Sequence, residues 1–187
     1  PEENMKGRIF TVPKQLTFLR LAFLPFFVIA IKYDNYVVAM AIFVIAGFSD
    51  ALDGFLARSL NQKSPIGAYL DPIADKLLLS SSFIILAFKQ KLAWWLTIIV
   101  LSRDVLILMV AVVILLISGY RPFPPSIYGK LTTGLQILLV FMIVLSAAYP
   151  HPQFAPINRV LIYAVTGFTV FSAFHYSFST SRRLSAS

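Results

Sequence analysis

The chain has 187 residues, of which 58% are hydrophobic and 13% charged, with a mean hydropathy of +0.80. Its apolar residues fall in long runs, unlike the short and regularly interrupted runs of a soluble core, which excludes an ordinary soluble domain. A net charge of +8 raises nucleic acid as a partner, but the Lys and Arg residues flank the apolar runs, so no nucleic acid is expected, and the absence of cysteine excludes structural disulfides and thiolate chemistry.

In chain order, residues 1–16 read as an amphipathic segment on the cytoplasmic surface, polar and basic up to Val12 with Lys6 and Arg8. An amphipathic stretch from Pro13 to Phe18 leads into a first span over about Thr17 to Ile31, which contains Pro25. That span is short enough to raise a signal peptide, but it lacks a convincing small-residue cleavage site and other spans follow, so it reads as a signal-anchor. The remaining spans are predicted from about Tyr36 to Arg58, Leu70 to Phe88, Ala93 to Ile117, Ile127 to Tyr149 and Ile157 to Phe178. A break at Gly119 to Pro125 and a turn around Pro150, Pro152 and Pro156 separate the last three. The expected architecture is therefore an all-α integral membrane protein: a six-helix transmembrane domain over 17–180 and a short tail over 181–187.

Six spans place both termini on one side, and the positive charges choose which. Lys6, Arg8, Lys14, Arg20, Arg58, Lys63, Arg121, Lys130, Arg182 and Arg183 lie on the side of the termini, against Lys32, Lys89, Lys91 and Arg159 on the other. Both termini are expected in the cytoplasm, with Trp94 and Trp95 in the aromatic belt of the opposite interface. No internal repeat and no soluble second domain are visible.

The stretch from Asp50 to Asp75 holds four of the chain's eight acidic residues: Asp50, Asp53, Asp71 and Asp75. On helices, Asp50, Asp53 and Ala57 share one face, and Gly67, Asp71 and Asp75 another. An aspartate at the centre of a membrane helix costs roughly 2.5 to 3.5 kcal/mol on insertion scales, so four near one interface require compensating cations. An all-oxygen donor set suits Mg²⁺ or Mn²⁺, and neither His151 nor His175 has the spacing to join it and favour zinc. The bland alternative is an ion-paired cluster neutralised by Arg58, Lys63 and Lys76, although apolar residues would serve stability alone better. Gly54 and Gly67 permit close approach beside the carboxylates, or simply helix packing.

The pattern Asp50-x-x-Asp53-Gly54-x-x-Ala57-Arg58, eight residues, then Gly67-x-x-x-Asp71-x-x-x-Asp75 resembles, position for position, the signature of the CDP-alcohol phosphotransferase family. The six-span layout extends the resemblance over nearly the whole chain. It implies a membrane enzyme that transfers a phosphatidyl group from CDP-diacylglycerol, or a related phosphoalcohol from its CDP ester, to an acceptor hydroxyl with release of CMP. It further implies that Asp50, Asp53, Asp71 and Asp75 surround one or two divalent metals, with Asp71 and Asp75 catalytic and Asp75 the general base. Asp50, Gly54, Ala57, Arg58 and Gly67 would hold the nucleotide diphosphate. A homodimer in the bacterial inner membrane, its site facing the cytoplasm, is implied in the same way.

The acceptor is read from other segments. Arg103 and Asp104 form an ionisable pair inside the fourth span; with Arg121 and Lys130, Arg103 is a candidate anion pocket for an acceptor phosphate, although Arg121 and Lys130 also serve as inside-loop charges. V-P-K-Q-L-T-F-L-R at Val12 to Arg20 resembles family members with glycerol-based acceptors: phosphatidylglycerophosphate synthases, which use glycerol 3-phosphate, and cardiolipin synthases, which use phosphatidylglycerol. These usually have Asn at the position of Lys14. S-R-D-V-L-I at Ser102 to Ile107 and P-P-S-I-Y-G-K-L-T-T-G-L-Q at Pro124 to Gln136 look more like the cardiolipin branch. A divalent-cation transporter is the rival of another class, but it would place polar residues near the midplane of repeated, broken helices.

Overall fold

The computed structural model describes the backbone of residues 12–59, 65–118 and 127–184, and the side chains of 22–49, 76–109 and 129–173. The described residues form six α-helices and no strand: α1 (Val12–Lys32), α2 (Tyr36–Ser59), α3 (Pro65–Phe88), α4 (Trp94–Ser118), α5 (Ile127–Ala148) and α6 (Phe154–Leu184). They fall into two compact units that meet in sequence between Ile85 and Leu86.

Helix limits follow the local chemistry. Because α1 starts at Val12, the amphipathic stretch and the first apolar run are one helix, continuous through Pro25 although that residue cannot donate to the carbonyl four residues earlier. Pro65 opens α3 where a helix N–H has no acceptor to lose, five residues before the predicted span. Pro156 sits in the first turn of α6 for the same reason, and α6 runs on to Leu184, so Arg182 and Arg183 belong to the helix. Even α1, the shortest at 21 residues, reaches about 30 Å at about 1.5 Å per residue, the thickness of a bilayer's hydrocarbon core.

Two of these helices close on a left-handed residue that is not glycine. Asp34 has φ 59°, and the Asn35 N–H reaches back to the Ala30 carbonyl at 2.9 Å while the Asp34 N–H takes that of Ile31 at 3.1 Å. Gln90, at φ 56°, ends α3 with the same bonds, from Lys91 to Leu86 and from Gln90 to Ala87. This pair of bonds satisfies carbonyls that a helix end would leave bare. Asn35 then serves the next helix, its Oδ1 accepting the Val38 N–H at 3.4 Å as the N-cap of α2.

In the first unit, Phe27, Ala30 and Ile31 of α1 are buried, as are Ala39, Phe43 and Ala46 of α2. Ala39 and Ala46 lie two turns apart and let the backbones approach, and the Phe27 and Phe43 rings meet at 5.7 Å. In the second unit α6 packs on both α5 and α4. Leu139, Val140, Ile143 and Val144 of α5, Val165 of α6, and Leu96 and Val100 of α4 supply its apolar core. The opposite faces are no less apolar: Phe26, Phe48, Ile98, Met109, Val160 and Phe171 are exposed, while Arg103, Asp104, Thr132, Gln136, Thr169 and Ser172 are buried. Charge inside and large aromatic and aliphatic groups outside is the distribution of a protein whose solvent is lipid. Gly129–Ala148 and Phe154–Ala173 are each long and apolar enough to cross a membrane.

The helix ends generate a stability test in detergent. Asn35→Ala is expected to cost about 1 kcal/mol through the lost cap. Gln90→Gly is expected to add up to about 1 kcal/mol by relieving the left-handed backbone. Opposite shifts of the thermal unfolding midpoint check both; a lower midpoint for Gln90→Gly would reject the strain assigned to that turn.

Candidate functional site

The recurring carboxylates lie on two consecutive helices. Asp50, Asp53, Gly54, Ala57 and Arg58 belong to α2, which is unbroken to Ser59, and Gly67, Asp71 and Asp75 to α3, which begins at Pro65. The helical register assumed for the motif is thus the register of the backbone: Asp53 follows Asp50 at i+3 on α2, and Asp75 follows Asp71 at i+4 on α3. The side chains of these eight residues, and that of Lys14 in α1, lie outside the described residues, and Arg121 and Lys63 lie outside them altogether. The donor chemistry fits a hard divalent cation, since aspartates offer only oxygen. Among the described residues no group of three or more His, Asp and Glu is arranged for a metal. His151 is exposed after α5, its Nδ1 accepting the Gln153 N–H at 3.4 Å and its ring edge-on to Phe154.

Arg103 and Asp104 form a buried ion pair in α4. Arg103 Nη1 donates to Asp104 Oδ1 at 2.7 Å and Nη2 donates to Ser172 Oγ of α6 at 3.2 Å. The two residues are 5% and 6% exposed. Asp104 is thus the partner that the sequence suggested, and much of the Arg103 fork is already engaged within the protein; its Nε has no partner among the described residues. Lys130 is exposed at the start of α5, whereas Arg103 is enclosed.

The second unit also buries polar residues that the sequence did not single out. Thr132 and Gln136 sit one turn apart on α5, Thr169 and Ser172 one turn apart on α6, and all four are at least nine-tenths buried. Thr132 Oγ1 donates to the Phe168 carbonyl at 3.4 Å, and Thr133 donates to its own helix at Gly129. Gln136 Oε1 and Nε2 and Thr169 Oγ1 have no partner among the described residues. A buried polar group left unpaired costs about 1–3 kcal/mol. The available signal was polar residues at spacings of three and four inside apolar runs, which marks a buried helix face.

Helices with polar interiors and apolar exteriors, two of them in sequence carrying paired aspartates, define a helical membrane protein. The profile of the CDP-alcohol phosphatidyltransferase family matches residues 10–171, and the chain belongs to that family of enzymes. It is 37% identical over 171 residues to a probable phosphatidylglycerophosphate synthase of Mycobacterium tuberculosis, covering 87% of this chain and 80% of the relative. It is 31% identical over 197 residues to the cardiolipin synthase (CMP-forming) of Rattus norvegicus, covering 91% of this chain and 62% of the relative. A CDP-diacylglycerol–glycerol-3-phosphate 3-phosphatidyltransferase of Wigglesworthia glossinidia brevipalpis is 34% identical over 144 residues, covering 74% of this chain and 79% of that protein.

The ion pair generates its own test. Asp104→Ala leaves the Arg103 guanidinium buried without its carboxylate and is expected to cost roughly 3–5 kcal/mol. The double variant Arg103→Met with Asp104→Leu removes both charges and is expected to unfold at a higher temperature than Asp104→Ala alone. A double variant no more stable than the single one would show that the pairing is not the stabilising contact.

Proposed function

We propose that the protein transfers a phosphatidyl group from CDP-diacylglycerol to a glycerol-type acceptor hydroxyl with release of CMP. The observation that carries this is the aspartate motif on α2 and α3 within a chain of this family. In the proposed step the acceptor oxygen attacks the phosphorus that bears the diacylglycerol. The bond from that phosphorus to the bridging oxygen breaks, CMP leaves with the electron pair, and the acceptor proton passes to the Asp75 carboxylate. Asp50, Asp53, Asp71 and Asp75 would hold one or two Mg²⁺ or Mn²⁺ ions, which when bound neutralise the diphosphate and the charge developing on the leaving oxygen. Arg58 pairs with phosphate oxygens, and Gly54, Ala57 and Gly67 leave room for the nucleotide.

The acceptor assigned first is phosphatidylglycerol, giving cardiolipin, on the Arg103-Asp104 pair and the segment from Pro124 to Gln136. Arg103, Arg121 and Lys130 are its candidate phosphate ligands. The second reading, glycerol 3-phosphate as acceptor, is favoured by the similarity to the Mycobacterium tuberculosis relative over most of both chains. Positive charge on the loops supports six spans with both termini in the cytoplasm, in the bacterial inner membrane, and the family resemblance supports a homodimer.

Three experiments test these readings. Asp75→Asn is expected to reduce CMP release at least about 100-fold with the unfolding midpoint retained; full CMP release by the folded variant would sink the assignment. Offering glycerol 3-phosphate and phosphatidylglycerol separately, with CDP-diacylglycerol and Mg²⁺, decides the acceptor. For topology, the absence of cysteine makes single-cysteine labelling clean. Lys91→Cys is expected to react with an impermeant maleimide from outside the cell and Gln62→Cys only after permeabilisation, and the reverse pattern would invert the orientation.

A further inference from the structure

The second unit, from Leu86 to Ser187, is almost without acid. Asp104 is its single acidic side chain, and that carboxylate is held by Arg103 at 2.7 Å. Arg159 of α6 therefore has no other side-chain carboxylate in its own unit to pair with, and it is exposed, with no hydrogen bond or ion pair among the described residues. It stands in the second turn of Phe154–Ala173, a segment long and apolar enough to cross a membrane, so its guanidinium lies near where that segment meets water. One turn on, Tyr163 is 66% exposed, and its hydroxyl has no hydrogen-bond partner among the described residues. One turn further, Gly167 is exposed, and a Cβ added there would meet nothing within 4 Å.

These three residues follow one another at i, i+4 and i+8 on the face of α6 opposite Val165, Thr169 and Ser172, which are buried. At about 1.5 Å per residue the row is about 12 Å long, and it presents in order a cation, a phenol and a gap between side chains. A helical side chain leans toward the N-terminus, which brings the Tyr163 hydroxyl back toward Arg159. A phospholipid offers the complement in the same order: phosphate oxygens for the guanidinium, an ester carbonyl for the phenol, and an acyl chain for the gap beside the exposed Val170. Glycine inside a helix is destabilising relative to alanine, and no packing among the described residues requires it at this position. We propose that Arg159, Tyr163 and Gly167 form a binding site for one anionic phospholipid along the start of α6. A free phosphate would engage Arg159 alone and leave the phenol and the gap unused. The site lies on one helix and does not depend on which acceptor the enzyme uses.

The test titrates the full-length protein in detergent with dioleoylphosphatidylserine, whose head group has no hydroxyl to serve as an acceptor, and with dioleoylphosphatidylcholine, and counts bound lipid by native mass spectrometry. The wild-type protein is expected to hold one phosphatidylserine about fivefold more tightly than phosphatidylcholine, the factor that one basic residue near a membrane surface contributes. Arg159→Gln is expected to bring that ratio toward one, and Gly167→Leu to weaken both lipids by filling the gap. Lys32→Gln, which removes an exposed cation at the end of α1, is expected to change neither. The unfolding midpoint without added lipid is expected to hold in all three, since these side chains face away from packed helices. A ratio unaltered by Arg159→Gln overturns the inference, as does an equal loss in Lys32→Gln, which would make the attraction a general one. Displacement of the lipid by inorganic phosphate overturns it in favour of a simple anion site. A Gly167→Leu variant that keeps its lipid but changes oligomeric state assigns the face to a second copy of the chain, and a lower midpoint in both α6 variants assigns it to folding; either result also overturns the lipid site.

Discussion

Hydrocarbon offers no hydrogen bonds, so every polar group in a lipid-facing helix must be answered from within the protein, and the arrangement of this chain follows from that. Arg103 illustrates it. A guanidinium in α4 is tolerable because Asp104 beside it supplies the opposite charge at 2.7 Å and Ser172 supplies an oxygen from α6. The bond to Ser172 also ties two helices that are far apart in sequence. The apolar exterior asks nothing of its surroundings, and Phe26, Phe48 and Met109 can lie exposed.

The connections on the side of Asp34 and Gln90 are equally shaped by backbone satisfaction. With only a few residues between helices, each chain reversal must bond the last carbonyls and begin the next helix at once. A left-handed residue does this in one step, which is why Asp34 and Gln90 accept a conformation that glycine would adopt more readily. The connection from α5 to α6 uses side chains as well: Asn158 Nδ2 donates to Ser146 Oγ at 3.0 Å, and Ser146 donates to the Ile143 carbonyl. Short connections bring α1 to α2 and α5 to α6, and the polar contacts of Ser172 add α4 to the second pair.

Two kinds of acidic residue therefore coexist. Asp104 is engaged in a buried pair with Arg103, while Asp50, Asp53, Asp71 and Asp75 recur at helical spacing with fewer cations than carboxylates nearby in the sequence. The family match covers these residues and says which class of bond is broken. Relatives with glycerol 3-phosphate in their names and relatives named for cardiolipin both align with the chain, so the similarity does not separate the two acceptors.

Six helices, their approximate limits and the aspartate register were legible in the sequence, because apolar runs of bilayer length and spacings of three and four are one-dimensional consequences of helix geometry. The start of α3 at Pro65 and the extension of α6 to Leu184 were not: these stretches are less apolar than the spans they join, and hydrophobicity marks membrane crossing rather than helix length. Sequence also paired Arg103 with Asp104 by adjacency. Only the tertiary structure decided that Ser172 completes the pair, and that Gln136 and Thr169 are sealed inside without hydrogen-bond partners among the described residues. Those facts depend on which faces of α4, α5 and α6 meet, and a polar residue in an apolar run looks the same in sequence whether its face turns to lipid, to a partner, or to a substrate.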